Sequence, residues 1–268
     1  MELVEVKAIL AGTRPMDAYG GTQLDRTVLE QMVEALRAGR LPMILQHDPT
    51  RPIAMRLIDT GIDNDGDGFE QVWIRFEVEK ATWDSVQEEW ARAGASGGFS
   101  WSGSVPLRLL PEEPDATKPT VALAADAHFW TEDQILDAAR LLSSHANVQV
   151  GQRFAFAHIP DPVVVATLYE MARAVGAAAL WDALKTFLRR APTADPSASQ
   201  ETIFEFRVSE GGREAVGRVT TADPDVLRDA IEALNRLDAT GGAASTWNDA
   251  ADSWESRPSL PPAPIERN

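Results

Sequence analysis

The sequence places a histidine at the polar end of a short apolar run, Leu41-Pro-Met-Ile-Leu-Gln-His47-Asp48, and a serine after a glycine-rich segment, Gly94-Ala-Ser-Gly-Gly-Phe-Ser100. An imidazole that titrates near neutral pH can take a hydroxyl proton and return it to a leaving amine. A serine hydroxyl beside such a base becomes a nucleophile, so the two residue types together suit acyl transfer. Gly97 and Gly98 lack a Cβ and leave the backbone free to approach a ligand. Each residue also has a plainer reading: a strand-end histidine bonded to the loop before Pro49, and one surface serine among many. Ser102 and Ser104 share a face with Ser100 if a strand begins there, and Ser96 lies in the preceding turn.

A third group is needed to orient the imidazole. Thr120-Val-Ala-Leu-Ala-Ala-Asp126-Ala-His128-Phe-Trp130 reads as a strand, and period-two alternation puts Asp126 and His128 on one face. Either can bond the outer nitrogen of His47, and the residues alone do not choose between them. Both also fit an ordinary polar strand end. Asp48 would point away from its neighbour in an extended chain. His145 and His158 have no carboxylate or histidine at ligand spacing and read as structural. The acidic turn Asp63-Asn-Asp65-Gly-Asp67-Gly68 resembles the start of a calcium loop. Ile74 stands where the twelfth-position glutamate belongs, so a hairpin turn is expected.

Composition narrows the function classes. The chain has 268 residues, 41 acidic and 25 basic, with a formal net charge of −16. That field repels phosphate backbones, so no nucleic-acid partner is expected. There is no cysteine, which excludes disulfides, thiolate metal sites and a cysteine nucleophile. No phosphate-cradling loop, dinucleotide fingerprint or zinc spacing is present, and no metal or organic cofactor is expected. Met1-Glu-Leu-Val-Glu-Val-Lys7 lacks the basic and apolar regions of a secretory signal, and no apolar run reaches membrane-spanning length. The expectation is a cytoplasmic protein without a membrane partner.

The elements that must hold these groups alternate through the first half. Strands are expected near 3–10, 42–46, 52–59, 70–79 and 100–110, with helices over 26–38 and 83–93. A strand over 120–129 follows, and Thr131-Glu-Asp-Gln134 is a capping box opening another helix. Val148 to Ala157 reads as a strand, and Asp161-Pro162 as the start of a helix through Val164, Leu168, Met171 and Val175. An alanine-rich helix around Leu180 and Leu184, a loop over 191–200, a hairpin over 202–220 and a helix from Pro224 complete the pattern. The tail is rich in Gly, Ser, Pro and Ala, with Trp247 and Trp254 as its large apolar groups. It reads as disordered, or as a docking or self-cleavage segment anchored by those tryptophans.

The order of motifs over residues 1–130 resembles the prohead (capsid maturation) serine proteases of tailed phages, which are distantly similar to herpesvirus assemblins. Asp17-Ala-Tyr-Gly20 before a helix, His47-Asp48 before Arg51-Pro-Ile53, the Asp-Gly hairpin and Gly-Phe-Ser100 carry the likeness. It implies His47 as general base, Ser100 as nucleophile, and a third member at Asp126 (as in the phage enzymes) or His128 (as in assemblins). Ala54 replaces the family's usual glycine, and Trp101-Ser102 replaces Ile-Gly after the serine. The fold implied is α+β. It comprises a mainly antiparallel, β-barrel-like protease core with flanking helices over 1–146, a smaller ferredoxin-like α+β adaptor module over 147–238, and a disordered tail over 239–268. The function implied is a serine endopeptidase cleaving a partner protein, in a bacterial conflict, antiviral or signalling system or in phage capsid maturation. A non-catalytic binding or assembly protein could keep the same fold. A partner protein would dock through the C-terminal module or tail, and homodimerisation is possible.

Overall fold

A computed structural model describes residues 2–17, 21–39, 53–92, 101–156, 162–169, 175–188, 201–210, 213–237 and 244–257. The chain divides into two compact units, one built on Met1–Ser102 and the other on Gly103–Phe154 and Pro160–Ser259. The fold is α+β with mixed sheets. Among the described residues no helix is long and apolar enough to cross a membrane.

The first unit contains β1 (Leu3–Gly12), α1 (Arg26–Arg37), β2 (Met55–Asn64), β3 (Glu70–Glu79) and α2 (Lys80–Arg92). Its three strands form an antiparallel sheet in the order β1-β3-β2. Val72, Ile74, Phe76 and Val78 alternate with Gln71, Trp73, Arg75 and Glu77 along β3 and are at most 1% exposed, so one sheet face is the core. Helix α1 starts because Asp25 accepts a bond from the Val28 amide at 3.0 Å. It buries Leu29, Met32, Val33 and Leu36 on one stripe. Burying a side chain of that size contributes roughly 1.5–3 kcal/mol. On α2, Trp83 and Trp90 stack edge to face with ring centroids 5.4 Å apart. The β2–β3 connection is the expected acidic hairpin turn.

The second unit contains β4 (Trp101–Leu110), β5 (Thr120–Asp126), α3 (Glu132–Ser143), β6 (Asn147–Phe156), β7 (Val163–Leu168), α4 (Ala177–Leu184), β8 (Thr202–Glu210), β9 (Arg213–Thr221), α5 (Pro224–Glu232), β10 (Ala244–Asn248) and β11 (Ser253–Arg257). These strands make one eight-stranded sheet in the order β11-β10-β9-β8-β7-β5-β6-β4. Three βαβ units run in succession, β5-α3-β6, β7-α4-β8 and β9-α5-β10, each with its two strands parallel and adjacent. Antiparallel pairings, β5 with β7 and β8 with β9, join one unit to the next.

The three helices repeat one pattern. Ile135, Ala138, Ala139 and Leu142 in α3 correspond to Leu180, Ala183, Leu184 and Phe187, and to Leu227, Ala230, Ile231 and Leu234. All twelve are buried in the same core. Asp137, Asp182 and Asp229 each precede the shared alanine, and the first two pair with a cation three residues on, Arg140 and Lys185. The alanine removes bulk on the sheet-facing side, where larger residues flank it at three and four positions.

Several expectations are corrected here. A boundary at 146/147 would cut between α3 and β6, inside the first βαβ unit. The ferredoxin-like βααββα order is replaced by the three βαβ units. Residues 163–168 are a strand: Val163-Val-Val-Ala-Thr is β-branched, and this outweighs the helix-start signal of Asp161-Pro162. Within the tail, residues 244–257 are the β10–β11 hairpin, with Trp247 and Trp254 in register and their rings 5.2 Å apart. Both tryptophans pack on the core, which is a structural use and not an exposed anchor. The described strands form two open sheets, not a closed barrel. The expected strand at 42–46 and loop at 191–200 lie outside the described residues.

Candidate functional site

His47 and Ser100 both lie outside the described residues, as do Ser96 and His158. The sequence brackets them by elements that are described. His47 falls between α1 and β2, and Ser100 between α2 and β4. Ser102 and Ser104 are both on β4, two positions apart. His145 is exposed, just beyond α3, with its amide bonded to the Leu142 carbonyl at 2.8 Å.

Asp126 and His128 do not share a strand face. Strand β5 ends at Asp126, and residues 127–129 are a turn, so alternation stops before it reaches His128. Asp126 is fully buried, whereas His128 is exposed. The Asp126 carboxylate accepts a bond from the His128 amide at 3.0 Å and faces Arg153 Nη1 at 3.5 Å. The Asp126 carbonyl accepts from the amides of Phe129 and Trp130, each at 3.1 Å, and the Ala127 amide donates to the Arg153 carbonyl at 2.9 Å.

Apolar packing fixes the same turn from below. Phe129 and Trp130 are 5% and 2% exposed, and Trp130 meets Phe187 edge to face at 5.5 Å. The Phe129 ring lies edge-on to the His128 imidazole at 4.9 Å. Beyond the turn, the expected capping box is present: Thr131 Oγ1 accepts from the Gln134 amide, and the Gln134 side chain accepts from the Thr131 amide. A buried carboxylate, two buried aromatics and a cap therefore hold a four-residue turn that carries one exposed imidazole.

Arg153 was not among the residues expected from sequence. Its signal is a lone cation in a strand whose other residues carry no charge. Asp126 and Arg153 are register partners on parallel β5 and β6. A second buried carboxylate follows the same rule: Glu205 on β8 is 3% exposed, opposite Arg218 on β9 and bonded to Arg207 Nη2 at 2.6 Å.

The acidic turn of the first unit has its own cation. Arg14 Nη2 donates to Asp65 Oδ2 at 2.9 Å and to Asp67 Oδ2 at 2.5 Å. Asp65 Oδ1 accepts from the amides of Asp67 and Phe69, each at 2.9 Å, and Gly68 supplies the left-handed backbone at φ +89°. Desolvation acts to raise the Asp65 pKa, but the bonds from Arg14, Phe69 and Asp67 together outweigh it and hold the carboxyl below its usual range. No group of three or more His, Asp or Glu among the described residues is arranged to hold a metal ion. Comparison with protein-family models, curated proteins and solved structures finds no match for this chain.

Proposed function

We propose that this protein is a cytoplasmic serine endopeptidase of prohead-protease-like fold that cleaves a partner protein in a bacterial conflict, antiviral or signalling system. In this reading Ser100 attacks the scissile carbonyl, and His47 removes its proton and then delivers it to the leaving amine. Asp126 or His128 holds the imidazole in its productive tautomer. Backbone amides near Gly97 and Gly98 bind the oxyanion. The C-terminal module or tail is the docking element, and homodimerisation belongs to the same proposal.

The observation that carries this reading is the element order around the two reactive residues. A helix precedes His47 and a strand follows it, then come the acidic hairpin, an extended strand and a helix, and Ser100 falls just before the next strand. That order matches the motif order of the resembled family. A fluorophosphonate probe tests it. Stoichiometric labelling that disappears in Ser100→Ala supports the enzyme. A folded wild type that never labels removes it.

Trp101-Ser102, standing where the family carries Ile-Gly, favours a second reading, a non-catalytic binding or assembly protein with the same fold. It forecasts partner capture that survives Ser100→Ala unchanged. Under a phage capsid-maturation role, the processed partner would be a capsid protein.

A further inference from the structure

We propose that the outer edge of β1 is a self-association site, pairing antiparallel with β1 of a second copy of this chain. Glu5 lies opposite the partner's Lys7 and Leu3 opposite the partner's Ile9, which joins the two first-unit sheets into one. The proposal rests on the homodimerisation in the reading above and on none of its catalytic assignments.

The sheet order β1-β3-β2 leaves one side of β1 without a strand among the described residues. Its inward residues Val4, Val6 and Ala8 stay partly exposed, whereas their neighbours on central β3 are buried. Two common guards of an edge are missing along most of this strand. It holds no proline, and its register shifts only between Ile9 and Ala11, near the far end. The backbone faces the right way. The Glu2 carbonyl accepts from the Lys80 amide at 2.9 Å. From there the alternate pairs Val4–Val78, Val6–Phe76 and Ala8–Ile74 bond β1 to β3. Leu3, Glu5, Lys7 and Ile9 therefore turn their amides and carbonyls to the outer edge. All four side chains lie on the exposed face, and Leu3 and Ile9 are 51% and 40% exposed, unusual for large apolar groups.

The side-chain order names the occupant. Apolar, acidic, basic, apolar at Leu3, Glu5, Lys7 and Ile9 is its own complement when read backwards. A two-fold axis through Val6 makes these residues the hydrogen-bonded pairs of the new ladder, with unlike charges and apolar groups facing each other twice. The neighbouring registers with the same bonding would set Glu5 against Glu5 or Lys7 against Lys7, and like charges directly opposite are destabilising. The chain as a whole carries −16, so its copies repel, but β1 holds one acidic and one basic residue and is neutral. Within the sheet Arg75 lies 3.6 Å from Glu5 and Asp63 lies 3.9 Å from Lys7. Those pairs hold both side chains on the exposed face, and the second copy adds a further counter-charge to each.

Sedimentation velocity of the full chain over a concentration series tests this. The wild type should dimerise reversibly. Glu5→Lys sets cations opposite each other and Lys7→Glu sets anions opposite each other. Each should weaken association by about tenfold or more, because the symmetry counts every change twice. Both positions are exposed, and circular dichroism should show both variants folded. An equimolar mixture of the two single variants restores unlike charges at both pairs, so it should dimerise where neither does alone. The double variant should self-associate as the wild type does. A wild type that stays monomeric at the highest concentration reached overturns the proposal and leaves this edge to a strand of another protein. A dimer indifferent to both single changes overturns it by placing the contact elsewhere. Single variants that stay monomeric when mixed overturn the register on which it stands. Mass is read without Ser100, so fluorophosphonate labelling decides the endopeptidase reading separately.

Discussion

Trp254 lies so close over Gly217 that a Cβ at that position would stand 2.9 Å from Trp254 Cζ3 and 2.8 Å from Leu237 Cδ1. The glycine lets the indole lie against β9 and close the end of the core. Gly217→Ala should therefore destabilise the protein by about 1–3 kcal/mol through overpacking. Trp254→Ala removes a large contact and should cost about 3 kcal/mol. In the double variant part of the glycine's cost disappears, because one of its two obstacles is gone. Chemical denaturation of the four proteins gives the coupling. Strict additivity would show that the ring and the glycine do not press on each other.

The Arg14–Asp65 pair makes a prediction about acid. Asp65 is held below the ordinary carboxylate range in the folded protein. A lowered folded-state value means the contribution is complete above the unfolded value near 3.9 and is lost as pH falls through the lower, folded value. Arg14→Gln should raise the Asp65 titration midpoint, measured by carboxyl carbon shift, and flatten that part of the acid unfolding curve. Asp115 is a control in the other unit. The hydroxyl and amide of Thr117 lower it, so it should not respond. An Asp65 midpoint indifferent to Arg14→Gln would mean the turn amides alone hold the carboxylate down.

How much of this could be read from the residues depended on the element. Amphipathic helices with clear caps were legible: Asp25, Thr131 and Asp223 each sit where a helix begins. So was the acidic hairpin, because Gly and Asp at those positions leave the chain few alternatives. Asp126 and His128 show where a local rule runs out. Period two holds along β5 but ends with the strand at Asp126, two residues before His128, where burial of Phe129 and Trp130 sets the turn instead. The tail shows the opposite error. Its low-complexity composition suggested disorder, while the alternation of Ser245 and Trp247 against Trp254 and Ser256 carried the strand signal. The repeat begun at Ile135, Leu180 and Leu227, an apolar residue, then alanine three positions on and apolar residues four and seven positions on, is present in the sequence, but it becomes persuasive only once three parallel crossovers give it a cause. Nothing local in β6 links Arg153 to a carboxylate 27 positions earlier, since sheet register makes that contact.

The helix end of the His128 turn is separable from its strand end. Thr131→Ala deletes one half of the capping box and should cost about 1 kcal/mol in global stability. Because Asp126 and Arg153 are untouched, exchange of the His128 amide should stay as slow as in wild type at matched stability. A selective loss of protection at His128 in Thr131→Ala would locate the turn's support in α3, not in the ion pair.

The Asp126–Arg153 ion pair is also a stability element. Arg153→Met removes a cation from beside Asp126, a carboxylate with 0% exposure. Such a change costs about 3–5 kcal/mol, far more than the pair itself contributes. Adding Asp126→Leu to the same protein removes the stranded charge and should recover most of that loss, although the turn loses its acceptor for the His128 amide. The single variant should also gain stability as pH is lowered relative to wild type, because protonating the buried carboxyl relieves the penalty of losing Arg153. Urea denaturation at two pH values separates these effects. Equal stability of the single and double variants at neutral pH would mean that solvent reaches Asp126 once Arg153 is gone.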